Sequence, residues 1–254
     1  MKIKFPKIPT DEHMAIIAQD WYKPLEGLTL LDYSDELLKY TFPFESVKLD
    51  NELINLILNI SESRASSLID TDLYVKWIQT TKHLFEDYNE VFVKLNSRSP
   101  KDYLFSENNY GKPIALDGCD DALDAILSSM RCFDDLCMFK YLDNCHLIVR
   151  PYITFSPMTE FRVFVKEKEI VGISQYYYDN DFGYSKGYKE SAERIIRDFI
   201  NAIVTPNIVK GTFVADVVVG NSACDTTLIE TNPFGLSDPC LFTYDTMDGS
   251  FKTK

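Results

Sequence analysis

FVADVVVGNSACDTTLIETNPFG, Phe213 to Gly235, contains two apolar runs suited to buried strands, with Asp216 inside the first and Glu230 and Asn232 closing the second. An unpaired ionised carboxylate taken out of water costs on the order of several kcal/mol, and two close together cost more. The pattern therefore asks for a cation. Side chains alternate along a strand, so Glu230 and Asn232 share a face, and a hairpin centred near Ala223 puts Asp216 opposite Glu230. Carboxylate and amide oxygens without nearby Cys or His suit Mg²⁺, which completes its shell with water and substrate phosphates. Two readings stay open at this point: magnesium held with a nucleotide, or a half-exposed hairpin with polar ends.

A polyphosphate needs several cationic partners. Lys94 on VFVKLN, Lys101 in the turn SRSPKD, Arg150 beside an apolar strand and Arg162 in EFRVFVK are the candidates. The bland alternatives are a solvated strand lysine at 94 and a structural pair between Arg162 and Glu160. The chain has neither a G-x-G-x-x-G nor a G-x-x-x-x-G-K-[ST] loop, so dinucleotide-fold and P-loop schemes fail. His13, His83 and His146 lie in no nucleophile motif, which leaves a Ser-His-Asp scheme unsupported. Cys132, Cys137, Cys145 and His146 lack the C-x-x-C spacing usual for structural zinc.

The elements that must position these groups follow from periodicity. Asp32 to Tyr40, Asp50 to Ser61 and Asp72 to Tyr88 carry apolar residues at helical spacing, so the first third reads as mainly helical. VFVKLN is a strand, the stretch from Ser97 to Pro113 is rich in turn residues, and Cys119 to Phe139 returns to helical spacing. CHLIVRPYI, a hairpin about Lys166 to Glu169 and the two runs quoted above make the second half mostly sheet, with a helix near Ser191 to Val204. In that hairpin Glu160, Arg162 and Phe164 fall on one face and Phe161, Val163 and Val165 on the other, a charged face and a core face.

The chain has 254 residues, of which 45% are hydrophobic, enough for a sizeable core and for one large domain or two lobes. No apolar run approaches the roughly 20 residues that span a bilayer, and the N-terminus shows no signal-peptide stretch, so a cytoplasmic location without membrane contact is expected. Six cysteines at irregular spacing are expected as free thiols. A formal charge of −13 works against generic binding to phosphate backbones. The local exception is the basic cluster Lys94, Arg98, Lys101 and Lys112, which also reads as a solvated loop.

The motifs resemble the cell division cycle protein 123 family, whose members have an ATP-grasp fold. The likeness runs through DWYKPLEGLTL, VFVKLNSRSPKDY, the weaker AILSSMRCFDDL and LIVRPYITFSPMTEFRVFVKEKEIVGISQ to FVADVVV and LIETNPFGLSDPCLFTYD. It implies an α+β fold of two lobes gripping ATP between them. Residues 1–145 would form a helical region with the first lobe, and residues 146–254 the second lobe with the metal site. Carried over by position, Lys94, Lys101 and Asp102 contribute to the ATP site, Arg150 borders the adenine, and Arg162 faces the phosphates. Asp216, Glu230 and Asn232 match the family's magnesium ligands.

There are departures from the family pattern. Ser97 stands where Trp is usual, Leu127 where Lys is common, Pro151-Tyr152 for Lys-Trp, Tyr176 for Arg, and Glu230 for Asp. Many members also continue beyond LFTYD with an acidic tail, so a divergent, compact member is implied. The resemblance implies a cytoplasmic ATP·Mg²⁺-binding chaperone that assists assembly of translation initiation factor 2 through its γ subunit. No acceptor-activating nucleophile is visible in the sequence, which suits that role. The rival is an ATP-grasp ligase, in one form acting on RNA ends, where Tyr176, Tyr177, Tyr178 and Tyr184 would stack bases. A third reading is a nucleotide-binding module that has lost the family role. Nucleic acid is a partner only on the ligase reading.

Overall fold

The computed structural model describes residues 10–63, 71–103 and 115–254. Lys112 and the rest of the turn-rich stretch after Tyr103 lie outside them. Two compact units form: residues 1–24 with 44–152, and residues 25–43 with 153–254. The boundary follows Tyr152 rather than residue 145 because β3 (His146–Pro151) hydrogen-bonds between β1 (Glu45–Lys48) and β2 (Val91–Leu95), making a three-stranded sheet.

In the first unit α1 (Asp11–Tyr22), α3 (Asn51–Ser63), α4 (Thr71–Thr81), α5 (Cys119–Ser128) and α6 (Met130–Phe139) accompany that sheet. Leu53, Ile54, Ile57 and Leu58 bury one stripe of α3, as its spacing predicts. They join Trp77, Leu123, Leu136, Phe139, Val93 and Val149 in one core. Asp50 starts α3 by accepting from Leu53 N–H at 2.8 Å, satisfying one of the helix's orphan donors. The single helical stretch expected over 119–139 is broken at Ser129, whose extended backbone and side chain, accepting from Cys132 N–H, begin α6. Trp21 meets Phe139 edge-on at 5.3 Å, tying α1 to this core.

The second unit is built on a five-stranded sheet in the order β7-β6-β4-β5-β8, from β4 (Glu160–Lys166), β5 (Glu169–Gln175), β6 (Phe213–Val218), β7 (Thr227–Asn232) and β8 (Phe251–Lys252). Glu167 and Lys168, at φ 52° and 70°, form the tight turn expected between β4 and β5, both residues left-handed as that turn class requires. The short α2 (Asp35–Leu38) also belongs here, since Thr41 bridges Leu228 and Leu28 O accepts from Thr231 Oγ1 at 2.6 Å. α7 (Lys186–Phe199) buries Ala192, Ile195, Ile196 and Phe199 and continues into a π-helical turn over Ile200–Val204. Both faces of β4 are buried. Glu160 and Arg162 are buried at 6% exposure each, so the charged face expected from the alternation is covered like the core face.

Candidate functional site

Two β-bulges decide which side chains share the polar face of the second unit. The β6–β7 hairpin pairs Val217 with Leu228, and without a slip Asp216 would meet Ile229. The register shifts there, so Asp216 faces Glu230. A second shift between Phe164 and Val165 sets Ser174, not Ile173, opposite Arg162. Since Arg162 also pairs with Asp216 and Ser174 with Lys252, one row crosses all five strands: Glu230, Asp216, Arg162, Ser174, Lys252.

Within that row Asp216 is 1% exposed and its carboxylate is gripped by Arg162, with Nε donating to Oδ1 at 2.7 Å and Nη2 to Oδ2 at 2.8 Å. The remaining Arg162 nitrogen, Nη1, donates to Asp238 O at 3.0 Å, and the guanidinium lies 4.8 Å from the Tyr176 ring centre. Burial opposes the charge on Arg162, but the Asp216 carboxylate outweighs it and holds the pKa well above the ordinary arginine value. Asn232, one register step along β7, donates from Nδ2 to Glu230 Oε1 at 3.3 Å and to Asp216 Oδ2 at 3.4 Å. The three oxygen-bearing side chains singled out from the sequence therefore converge.

Cys240 shapes the rim. Its backbone is left-handed at φ 54°, its N–H donates to Asp238 Oδ1 at 2.8 Å, and this turn aims the Asp238 carbonyl at Arg162. Burial pushes its thiol up to about 12, so it stays neutral beside the guanidinium. Gln175 is fully buried and fixes the loop that carries Tyr176: Nε2 donates to Tyr177 O at 2.9 Å and Asn180 O at 2.7 Å, while Oε1 accepts from Lys254 N–H at 2.8 Å.

The cationic positions of the first unit sit on its own sheet. Lys94 and Arg150 are both buried, and the register sets Lys94 opposite Ile148 and Arg150 opposite Phe92, all on the face turned away from the Val91, Val93 and Leu95 core. The Arg150 guanidinium lies 4.4 Å from the Phe92 ring centre. Lys101 is half-buried in the turn after Pro100. Asp102 is engaged at the start of α6, accepting from Ser129 Oγ at 2.6 Å and from Arg131 N–H at 3.0 Å. Ser97, at the position of the family's usual Trp, donates to the buried Asp135 at 2.6 Å, and Arg98 clasps the same carboxylate.

Sequence reasoning missed Ser174, Lys252 and Asp238, and it named the Tyr176 ring for stacking bases, whereas the structure sets that ring against Arg162. Counting back from the two-residue turn gives Ile173 opposite Arg162, and only the bulge corrects it. Among the described residues no three His, Cys, Asp or Glu side chains gather to hold a metal, and the cysteines are free thiols. A magnesium ion would instead draw on two carboxylates and an amide oxygen, for which Asn232, whose nitrogen faces the carboxylates, would turn its amide over. That hard oxygen set fits the ion and leaves coordination positions for water and phosphate. The ring-rich loop is occupied with itself: Tyr184 stacks on Tyr188 at 5.3 Å, and both hydroxyls donate to Met158 O.

The chain is similar to Cell division cycle protein 123 of Eremothecium gossypii, 30% identical over 65% of this chain and 48% of that protein. It is also similar to the translation initiation factor eIF2 assembly protein of Candida albicans, 32% identical over 61% of this chain and 48% of that one. The chain thus spans about half the length of these curated relatives. Among solved structures, C-terminally truncated Cdc123 from Schizosaccharomyces pombe superimposes with a TM-score of 0.69 at 19% identity, covering 98% of this chain and 97% of that one. The α+β fold is therefore the Cdc123 fold, the one that the family resemblance describes as ATP-grasp. With the D123 family profile matching residues 61–254, most of the described structure, this chain belongs to the D123 family.

Proposed function

We propose that this protein binds ATP with magnesium and acts in the cytoplasm as an assembly factor for translation initiation factor eIF2, with the factor's γ subunit as its partner. The observation that carries the nucleotide half is the convergence of Asp216, Glu230 and Asn232 beside a buried arginine on one sheet face. The three oxygens would hold the ion, whose positive charge would offset that of the nucleotide's phosphates. Arg162 would take phosphate oxygens with its fork, and Lys94, Lys101, Asp102 and Arg150 would add nucleotide contacts, as the resemblance implies. The assembly half rests on family membership and on the names of the relatives. No helix among the described residues is long and apolar enough to cross a membrane, which is compatible with the location proposed.

The ligase reading draws least from the site. It needs a pocket that holds an acceptor and a surface that takes RNA, whereas the ring pairs around Tyr184 are spent on each other. The deciding experiment is a pull-down of separately expressed eIF2 subunits by the purified chain, with ATP and Mg²⁺, beside a binding assay on 5′-phosphorylated RNA. Retention of the γ subunit with weak RNA binding at physiological salt is expected. Submicromolar RNA affinity with a steep salt dependence, and no γ subunit retained, would overturn the assembly reading.

A further inference from the structure

We propose that Arg162 is the resident cation of the acid pair, so that the site admits a divalent metal only together with a nucleotide's phosphates. The inference rests on the ATP·Mg²⁺ reading above and concerns the order in which the two ligands arrive. Asp216 is buried with both oxygens held by a guanidinium whose third nitrogen and ring-facing side are also engaged. Asn232 turns its amide nitrogen, not its oxygen, toward both carboxylates. The metal-free acids are thus already compensated, by one full positive charge and one donor dipole.

A free hydrated ion entering this arrangement meets three obstacles. It gives up water reluctantly. It must share Asp216 with a cation a few ångströms away, in surroundings where like charges repel strongly. It also needs Asn232 to turn its amide over. Phosphate oxygens remove the second obstacle, because they offer the guanidinium a bidentate anion of the geometry it prefers and leave Asp216 oxygens to the metal. Tyr176 supports this exchange, since a flat ring 4.8 Å from the guanidinium lets the fork pivot without losing its stacking partner. Metal and nucleotide are then coupled through Arg162, and the coupling is reciprocal: each raises the other's affinity by the same factor, about 5–150-fold for couplings of ordinary size.

The test uses Mn²⁺ as the metal probe, its free concentration read by electron paramagnetic resonance, on the full chain with and without a non-hydrolysable ATP analogue. With the Mn²⁺ held by the analogue alone subtracted from a titration without protein, the wild-type chain should bind Mn²⁺ at least about fivefold more tightly when the analogue is present. Arg162→Gln should bind Mn²⁺ alone more tightly than wild type and lose most of that coupling, with Arg162→Lys between the two. If Arg162→Gln does not fold, the wild-type comparison decides. Mn²⁺ and nucleotide that bind independently would overturn this inference and leave the ATP·Mg²⁺ reading standing. No binding of either ligand under any condition would overturn both.

Discussion

Asp135 has no exposed side-chain surface, while Arg98, which clasps it, keeps 41% of its side chain in water. That difference makes the two halves of the pair unequal. Arg98→Ala leaves a carboxylate in the core of the first unit with Ser97 Oγ as its one remaining side-chain donor among the bonds described. Removing one partner of a buried ion pair costs about 3–5 kcal/mol, and at about 2–4 °C per kcal/mol the melting temperature should fall by roughly 6–20 °C. Asp135→Leu removes the charge itself and lets Arg98 turn to solvent. It leaves only Ser97 without its acceptor, a loss of about 1–2 kcal/mol, or roughly 2–8 °C. The double substitution should recover much of the Arg98→Ala deficit, because the two losses describe the same interaction. Differential scanning calorimetry of the four proteins at one pH and salt measures all of this. Equal losses for the two single variants, or a drop of a degree or less for Arg98→Ala, would refute the argument from burial.

Three further outcomes are expected. Asp50→Ala should cost about 1 kcal/mol by removing the α3 cap. The Leu53 N–H bond holds the Asp50 carboxyl below its ordinary 3.8, so its contribution is present above that pH and is lost as pH falls through the lower folded value; urea midpoints at neutral and acid pH would show the wild-type advantage shrinking. Gly220→Ala places a methyl 2.3 Å from the Asp225 carbonyl oxygen, so the β6–β7 hairpin must shift; a lowered melting temperature together with weakened Mg²⁺·ATP affinity is expected, and unchanged affinity would show that the hairpin's register is set elsewhere. Gln175→Leu removes the side-chain bonds to the Tyr177 and Asn180 carbonyls and from the Lys254 N–H, and should cost about 1 kcal/mol or more and speed amide exchange in residues 176–180 and at Lys254.

The central part of the site was readable because it depends on short-range rules. Alternation along β7 puts Glu230 and Asn232 on one face and a turn centred near Ala223 points Asp216 at Glu230, although it is the bulge after Asp216 that sets that register in the structure. What escaped depends on pairings with no local signal. β8 is two residues long and pairs in parallel with β5, more than seventy residues earlier in the chain, while β1 is four mostly exposed residues. The return of residues 25–43 to the second unit rests on Thr231 reaching Leu28 and on Thr41 bridging Leu228, which no periodicity announces. The depth of Arg162 was equally hidden, because alternation distinguishes two faces but does not say that segments after Pro233 cover the polar one. Phe242 and Tyr244 do so by meeting Phe164 at 5.9 and 6.0 Å. The roles of Lys94, Lys101, Asp102 and Arg150 came from the family pattern alone, since each is also an ordinary residue of a strand or turn.

The most direct measurement is calorimetric titration of ATP, with and without Mg²⁺, into the wild-type chain and into Asp216→Ala. A magnesium-dependent binding heat is expected for the wild type. In Asp216→Ala that heat should be lost or strongly reduced because the substitution removes one metal ligand, while circular dichroism shows the fold retained at a lower melting temperature, since Arg162 stays buried with only the Asp238 carbonyl and the Tyr176 ring. Indistinguishable heats with and without Mg²⁺, or full binding by Asp216→Ala, would contradict the assignment of these residues to the metal.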